Sequence, residues 1–523
     1  MQPQSPLPRV TYSNIGADFT PLHDWLDQAM PAFRAGLGKS WPNRIGGTAD
    51  QAGTAYAAHS AMDRELLLGT FVDADRGAVD RAVAAARAAF PAWAGLPWRD
   101  RAAAVRAFAD AVDAAKYDLA MAAMYEVGKS RLEAVGEAEE AVDLLRFYCD
   151  ELARNEGYTR QMARAVPHEE TVCTLRPHGV FAVIGPFNFP VALLCNMLGC
   201  IVAGNTAVLK PSPGNGLSAS LLVRAAEDAG LPPGVVNLVC GADAGPLLVD
   251  AAIDGVAFTG SHEVGMEIFR KMAAGPYARP VIAEMGGKNP TYVTASADLD
   301  VAAEGVMRSA FGLQGEKCSA CSVAYVTRDV HDQFLDLLRA KTEALVVGPP
   351  ERRDSFVGPL IDGEALDRFE WAVAQSRADG RVVTGGDRLR GGALDRGYYV
   401  SPAVVADLPP DHELNRIEQF MPFLSVQACA DLADGIARGN AIVYGLTAGI
   451  YTGDDDELRL FLDNAEAGVL YANRRSGGTT GAWPGFQTFC GWKGSGVDGK
   501  GGLGPYQLPR FMREQSHTIM HPA

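Results

Sequence analysis

The feature that most constrains this chain is a run of short apolar segments alternating with amphipathic ones. "GVFAVIGPFNFP" reads as a strand closed by Gly and Pro, "PVALLCNMLGCIVAG" as a helix, and "TAVLKPSP" as a second strand ending in a turn. "GLSASLLVRAAEDAG" is a helix stopped at Gly230, "GVVNLVCG" a third strand, "GPLLVDAA" a helix, and "GVAFTGS" a fourth strand leading into the helix "HEVGMEIFRKMAA". Strands and helices alternating at this spacing predict an α/β fold with a parallel sheet covered by helices on both faces. Such sheets bind ligands beyond the carboxyl ends of their strands. Asn188, Lys210 and the pair Gly260–Ser261 stand at those ends.

The flanking sequence fits around this unit. Residues 77–155 repeat apolar positions at helical spacing, which predicts a helical layer over the sheet. A second α/β stretch runs over residues 290–482, and "PYQLPRFMREQSHTIM" reads as an extended arm. At 523 residues, 48% of them hydrophobic, the chain has material for two or three domains. A net charge of −16 argues against nucleic-acid and anionic-membrane partners. The N-terminal "MQPQSPLPRV" has no signal pattern. The apolar stretch 190–210 is broken by Asn196, Gly199, Gly204 and Asn205, so it reads as a buried helix entering a strand. Nine cysteines, an odd number without a secretion signal, predict reduced thiols in a cytoplasm.

Several residues carry possible chemistry. Cys318 and Cys321 in "FGLQGEKCSACS" form a Cys-x-x-Cys pair, open to four readings: a redox couple, half a metal site, one reactive thiol beside a buried neighbour, or two inert core cysteines. A structural zinc site needs a second close ligand pair, and none follows, so no metal is expected. A thioredoxin-like motif should follow a strand, whereas this one follows the helix "AAEGVMRSAFGLQG". Lys317, adjacent in sequence, reads as solvated. Glu284 in "EMGGKNP" is either a solvated strand-end carboxylate or, in a cleft, a general base. Asn188 in "GPFNFP" is either a turn residue or an amide donor to an oxyanion. Ser261 can cap a helix whose N-terminus faces a phosphate, and Lys210 can reach a phosphate or ribose hydroxyls.

Taken in order, "GPFNFP", "VLKPSP", "FTGSHEVG", "EMGGKNP", "FGLQGEKCSACS", "IEQFMPFLSV" and "FCGWKGSG" resemble the NAD(P)-dependent aldehyde dehydrogenase superfamily over nearly the whole chain. Within it, "YEVGKSRLEAVGEAEEAVDLLRFYCDEL" and "TTGAWPGFQTFCGWKGSG" are similar to the 1-pyrroline-5-carboxylate (L-glutamate-γ-semialdehyde) dehydrogenases. The resemblance implies a dinucleotide-binding domain (1–157 and 178–284), a catalytic domain (285–482), and a small oligomerisation arm (158–177 and 500–523). It implies oxidation of an aldehyde to an acid through a cysteine thioester, with L-glutamate-γ-semialdehyde of proline catabolism as the substrate. Another aldehyde, or a non-catalytic dinucleotide-binding role, is the alternative. Cys318 would be the nucleophile, Asn188 and the Cys318 N–H the oxyanion donors, and Glu284 the base for the deacylating water. Pro186, Phe187, Lys210, Gly260, Ser261 and Glu418 would bind NAD, with NADP an option. Ser319, Gly481 and Ala482 would hold the amino-acid end of the substrate, with Phe189 and Phe489 along its aliphatic part. A homodimer or larger homo-oligomer is implied.

Some positions depart from the family pattern. Pro213 stands where NAD-preferring members often carry glutamate, and Met421 and Cys490 replace glycines. Glu316 replaces a glutamine, which puts a carboxylate beside the thiol in sequence and predicts a raised thiol pKa. "NRRSGGTTGAW" has a few extra residues before the substrate loop.

Overall fold

The structure, a computed structural model, describes residues 3, 5–14, 16–478 and 482–522. Two seven-stranded sheets organise it. The first holds β1 (Asn43–Ile45), β2 (Thr48–Asp50), β3 (Val180–Ile184), β4 (Thr206–Lys210), β5 (Val236–Leu238), β6 (Gly255–Gly260) and β7 (Val281–Met285). Their order is β7-β6-β3-β4-β5-β1-β2. The run from β7 to β5 is parallel, as the alternation predicts, and β1 and β2 add an antiparallel edge.

The period of two decides which side chain meets which layer. In β3, Val180, Ala182 and Ile184 join a core with Ala78, Val79 and Ala82 of the Arg76–Gly95 helix. Phe181 and Val183 point the other way, into a larger core built with the helices Trp98–Val127, Arg131–Arg154 and Gly216–Asp228. Every residue of β3, β4 and β7 is buried, as expected for strands covered on both faces. The segment read as one helix, "PVALLCNMLGCIVAG", is two: Ala192–Met197 and Gly199–Val202. Leu198 turns between them, beside a glycine of low helix propensity.

The second sheet contains β8 (Asn289–Val293), β9 (Cys321–Thr327), β10 (Arg381–Thr384), β11 (Ala403–Ala406), β12 (Phe423–Cys429), β13 (Thr447–Tyr451) and β14 (Val469–Ala472), in the order β10-β11-β12-β9-β8-β13-β14. Only β10 pairs antiparallel. Just Gly286, Gly287 and Lys288 separate β7 from β8, so the first sheet ends where the second begins.

Thr159–Gln161, Glu169–Pro177 and Met512–Met520 form a three-stranded sheet, registered from Met512 opposite Pro177 to Met520 opposite Glu169; of the segment read as extended, Met512–Met520 is a strand and Gln507–Arg510 a short helix. The N-terminal helix Thr20–Ala35 and a small sheet of Lys39–Trp41, Gly53–His59 and Leu67–Ala74 have no counterpart in the sequence reading. Among the described residues no helix is long and apolar enough to cross a membrane.

Candidate active site

Cys318 follows a strained approach. The helix Leu299–Phe311, capped by Asp298, runs into a short turn in which Leu313 (φ 48°) and Gln314 (φ 55°) are left-handed. Non-glycine residues hold such angles only where the surroundings fix them. Here the buried Gln314 side chain donates to Val127 O at 3.3 Å and accepts from Gly358 N at 3.2 Å. The chain then presents Cys318, half-buried, to a cavity of about 290 Å³. Ser319, Glu284, Phe189, Ala482 and Phe489 line the same cavity. Gly481 lies outside the described residues.

Cys321 faces elsewhere. It opens β9 and packs in the core with Ala302, Val306 and Ala324. Of the readings of Cys-x-x-Cys, this geometry favours one pocket thiol with a packed neighbour. Cys321→Ala is expected to leave turnover within about twofold and to lower stability by about 1 kcal/mol, the scale of a small core truncation. Steady-state kinetics and a urea melt measure both, and loss of turnover would restore the redox reading.

Glu284, near the end of β7, is buried, and neither carboxyl oxygen has a hydrogen-bond partner among the described residues. Arg510 Nη1 lies 3.8 Å from Oε1, the salt bridge Glu284 makes among the described residues. Burial pushes the Glu284 pKa up to about 8, against the pull of Arg510. The solvated-carboxylate alternative therefore fails. The Cys318 thiol is pushed up to about 12 by burial, with the Glu418 and Glu284 carboxylates adding to it.

Asn188 is buried after β3, and its amide donates to Glu316 O at 2.9 Å. An amide has two N–H donors, so this bond fixes Asn188 against the Cys318 loop without exhausting it. Phe189 lies beside Lys129, whose ammonium sits 3.5 Å from the ring centroid and pairs with Glu137 at 2.6 Å.

The residues expected at the dinucleotide gather at the carboxyl end of the first sheet. Lys210 ends β4 near Asp73 and Cys240, and burial lowers its pKa. Gly260 ends β6, and the Ser261 hydroxyl caps the helix His262–Ala273 by accepting from Val264 N at 3.4 Å. Pro186 and Phe187 follow β3; Asn215 donates to Phe187 O at 2.9 Å, and the Phe187 ring meets Phe420 edge-on. Glu418 accepts from Gly287 N at 2.9 Å, and burial raises its pKa to about 7. A Cβ on Gly286 would overlap the Glu418 carboxyl, and one on Gly287 would overlap Cys318 O. An ammonium, an acceptor carboxylate and a capped helix start make a donor set that suits a dinucleotide.

The aldehyde dehydrogenase family profile matches residues 49–516. The chain belongs to the aldehyde dehydrogenase family. It is 32% identical over 503 residues to 1-pyrroline-5-carboxylate dehydrogenase 1 of Halalkalibacterium halodurans, covering 95% of this chain and 96% of that one. It is 33% identical over 506 residues to 1-pyrroline-5-carboxylate dehydrogenase 2 of Bacillus subtilis, covering 94% and 95%. Among solved structures, a Thermus 1-pyrroline-5-carboxylate dehydrogenase with bound NAD superposes with a TM-score of 0.92 at 29% identity, covering 99% of each chain.

In this aldehyde dehydrogenase two sequence expectations need correction. Glu316 does not burden the thiol. Its side chain is buried and accepts from Ile361 N at 3.0 Å, and burial pushes its pKa well above the usual carboxylate range. The carboxylates acting on Cys318 are Glu418 and Glu284. Lys317 is not simply solvated: it lines the cavity and pairs with Glu133 at 3.3 Å. Met421 is buried, and Cys490 sits within reach of Glu284, Arg510 and Asp498 with its thiol on Gly468 O at 3.2 Å. Arg510 escaped the sequence reading. It lies far along the chain in "QLPR", where only a basic residue beside Leu508, Pro509 and Phe511 gave a sign.

Proposed function

We propose that this aldehyde dehydrogenase oxidises L-glutamate-γ-semialdehyde, the open form of 1-pyrroline-5-carboxylate, to glutamate with NAD, as a step of proline catabolism. The observation that carries this reading is the shared cavity: Cys318 and Glu284 line it together with Ser319, Phe189 and Phe489. The names of its relatives agree with that choice.

In this reading the Cys318 thiolate attacks the aldehyde carbon. Asn188 and the Cys318 N–H donate to the oxyanion; such a donor contributes about 3–4 kcal/mol to transition-state stabilisation. NAD, when bound, supplies the acceptor for the hydride that leaves as the thioester forms. Lys210, Glu418, Gly260, Ser261, Pro186 and Phe187 hold that cofactor. Glu284 then takes a proton from the water that hydrolyses the thioester. Ser319, Gly481 and Ala482 bind the α-amino-acid end, and Phe189 and Phe489 exclude water from the aliphatic part. With Pro213 at the adenosine-ribose position, NADP is the second cofactor to test.

Residues 1–157 and 178–284 are read as the dinucleotide-binding domain and 285–482 as the catalytic one. The arm of 158–177 and 500–523 is read as joining subunits of a cytoplasmic homodimer or larger assembly. Its exposed Met162, Val166, Ile519 and Met520 support that use.

The deciding measurement is kcat/KM for glutamate-γ-semialdehyde, succinate semialdehyde and simple aliphatic aldehydes, with NAD and NADP. The first substrate with NAD is expected to lead by roughly 10–200-fold, the range pocket fit gives. A lead by another aldehyde would remove the substrate assignment and leave the family intact.

A further inference from the structure

The C-terminal helix Gln507–Arg510 reaches the buried carboxyl of Glu284 from outside the cavity lining. Arg510 is itself buried. Its Nε donates to Asp498 at 2.9 Å and its Nη1 to Gln507 Oε1 at 2.8 Å. Nη1 also faces Glu284 Oε1 at 3.8 Å, and the buried Nη2 has no hydrogen-bond partner among the described residues. A guanidinium clamped on two sides cannot swing away, so its charge is a fixed part of the environment of Glu284.

We propose that Arg510, held by Asp498 and Gln507, is a positioning residue that keeps Glu284 available as a carboxylate for thioester hydrolysis. The proposal rests on Glu284 being the deacylating base. An isolated carboxylate with both oxygens buried and unpartnered would give up its charge. A water entering to be deprotonated needs one carboxylate oxygen unoccupied, so a direct salt bridge would compete with it. A guanidinium at 3.8 Å favours the charge while leaving the oxygens unbonded.

The groups facing Glu284 come from several elements. Arg510 and Asp498 lie on the C-terminal segment, Cys490 on the loop before it, Cys318 on the nucleophile loop, and Tyr148 on the helix Arg131–Arg154. Arg510 is the positive one, and Asp498 opposes it. The two therefore have opposite signed effects.

The test uses the full-length protein with p-nitrophenyl acetate. The Cys318 thiolate displaces p-nitrophenolate to give an acetyl-enzyme, which water hydrolyses to acetate and free thiol. The initial burst reads acylation, and the steady state reads deacylation as a function of pH. Arg510→Gln is expected to move the deacylation limb to higher pH by about one unit, the scale for one opposite charge at this distance. Asp498→Asn is expected to move it to lower pH, and Arg510→Lys to return it toward the wild-type position, each with the burst retained. A merely structural role would lower the burst and steady state together without moving the limb. Limbs unmoved in both Arg510→Gln and Asp498→Asn would overturn the proposal, and if Arg510→Gln does not fold, an unmoved Asp498→Asn limb does so alone. Failure of the underlying reading looks different: Glu284→Gln would then deacylate at the wild-type rate.

Discussion

Cys318→Ser is expected to abolish NAD(P)H formation, with turnover falling by roughly 10⁴-fold or more, as when a covalent nucleophile is removed. The physical reason lies in the thiol's surroundings. Burial with the Glu418 and Glu284 carboxylates nearby pushes its pKa up to about 12, so the resting group is the neutral thiol. Attack requires the thiolate, and a serine hydroxyl is a far weaker acid than even this thiol. Alkylation by iodoacetamide should therefore quicken as pH rises well beyond the range of an ordinary cysteine. Intact-protein mass spectrometry locates the label. Undiminished turnover in Cys318→Ser would end the thioester reading.

Glu284→Gln should have the second largest effect, slowing turnover by about 10²–10⁴-fold, the range for losing a general base. The loss should fall on deacylation, so an acyl-enzyme should build up and be visible as added mass on the peptide containing Cys318. The pH dependence fixes the sign. Burial raises the folded-state pKa of Glu284 to about 8, so its basic carboxylate form accumulates as pH rises through that value. Wild-type deacylation should climb across the same interval, and the glutamine variant should lack that limb. A variant that retains the limb would assign the base elsewhere.

The sequence carried the parts of this site that are local. A strand-end Gly and Pro announced the turn that holds Asn188, and a double glycine announced the turn after Glu284. The alternation of strand and helix places Lys210 and Ser261 at the carboxyl ends of strands in one sheet. What it could not carry was direction. Glu316 stands two residues from Cys318, yet its carboxyl turns to Ile361 N, because a buried acceptor follows the nearest unpaired N–H rather than its chain neighbours. Lys317 finds Glu133, and Glu284 finds Arg510, across long separations in the chain. Such partners depend on how helices pack, and no local pattern encodes that.

The short connection between the two sheets has a mechanical consequence. Gly286 and Gly287 press against Glu418 and Cys318 O, and the buried Lys288 ammonium donates to Gln419 Oε1 at 2.6 Å and Ser322 O at 3.1 Å. This connection is a rivet rather than a hinge. Separating the two sheets at this connection would break bonds that also shape the reacting groups. An inserted residue here would knock base and nucleophile out of alignment at one stroke, even if both sheets folded as before.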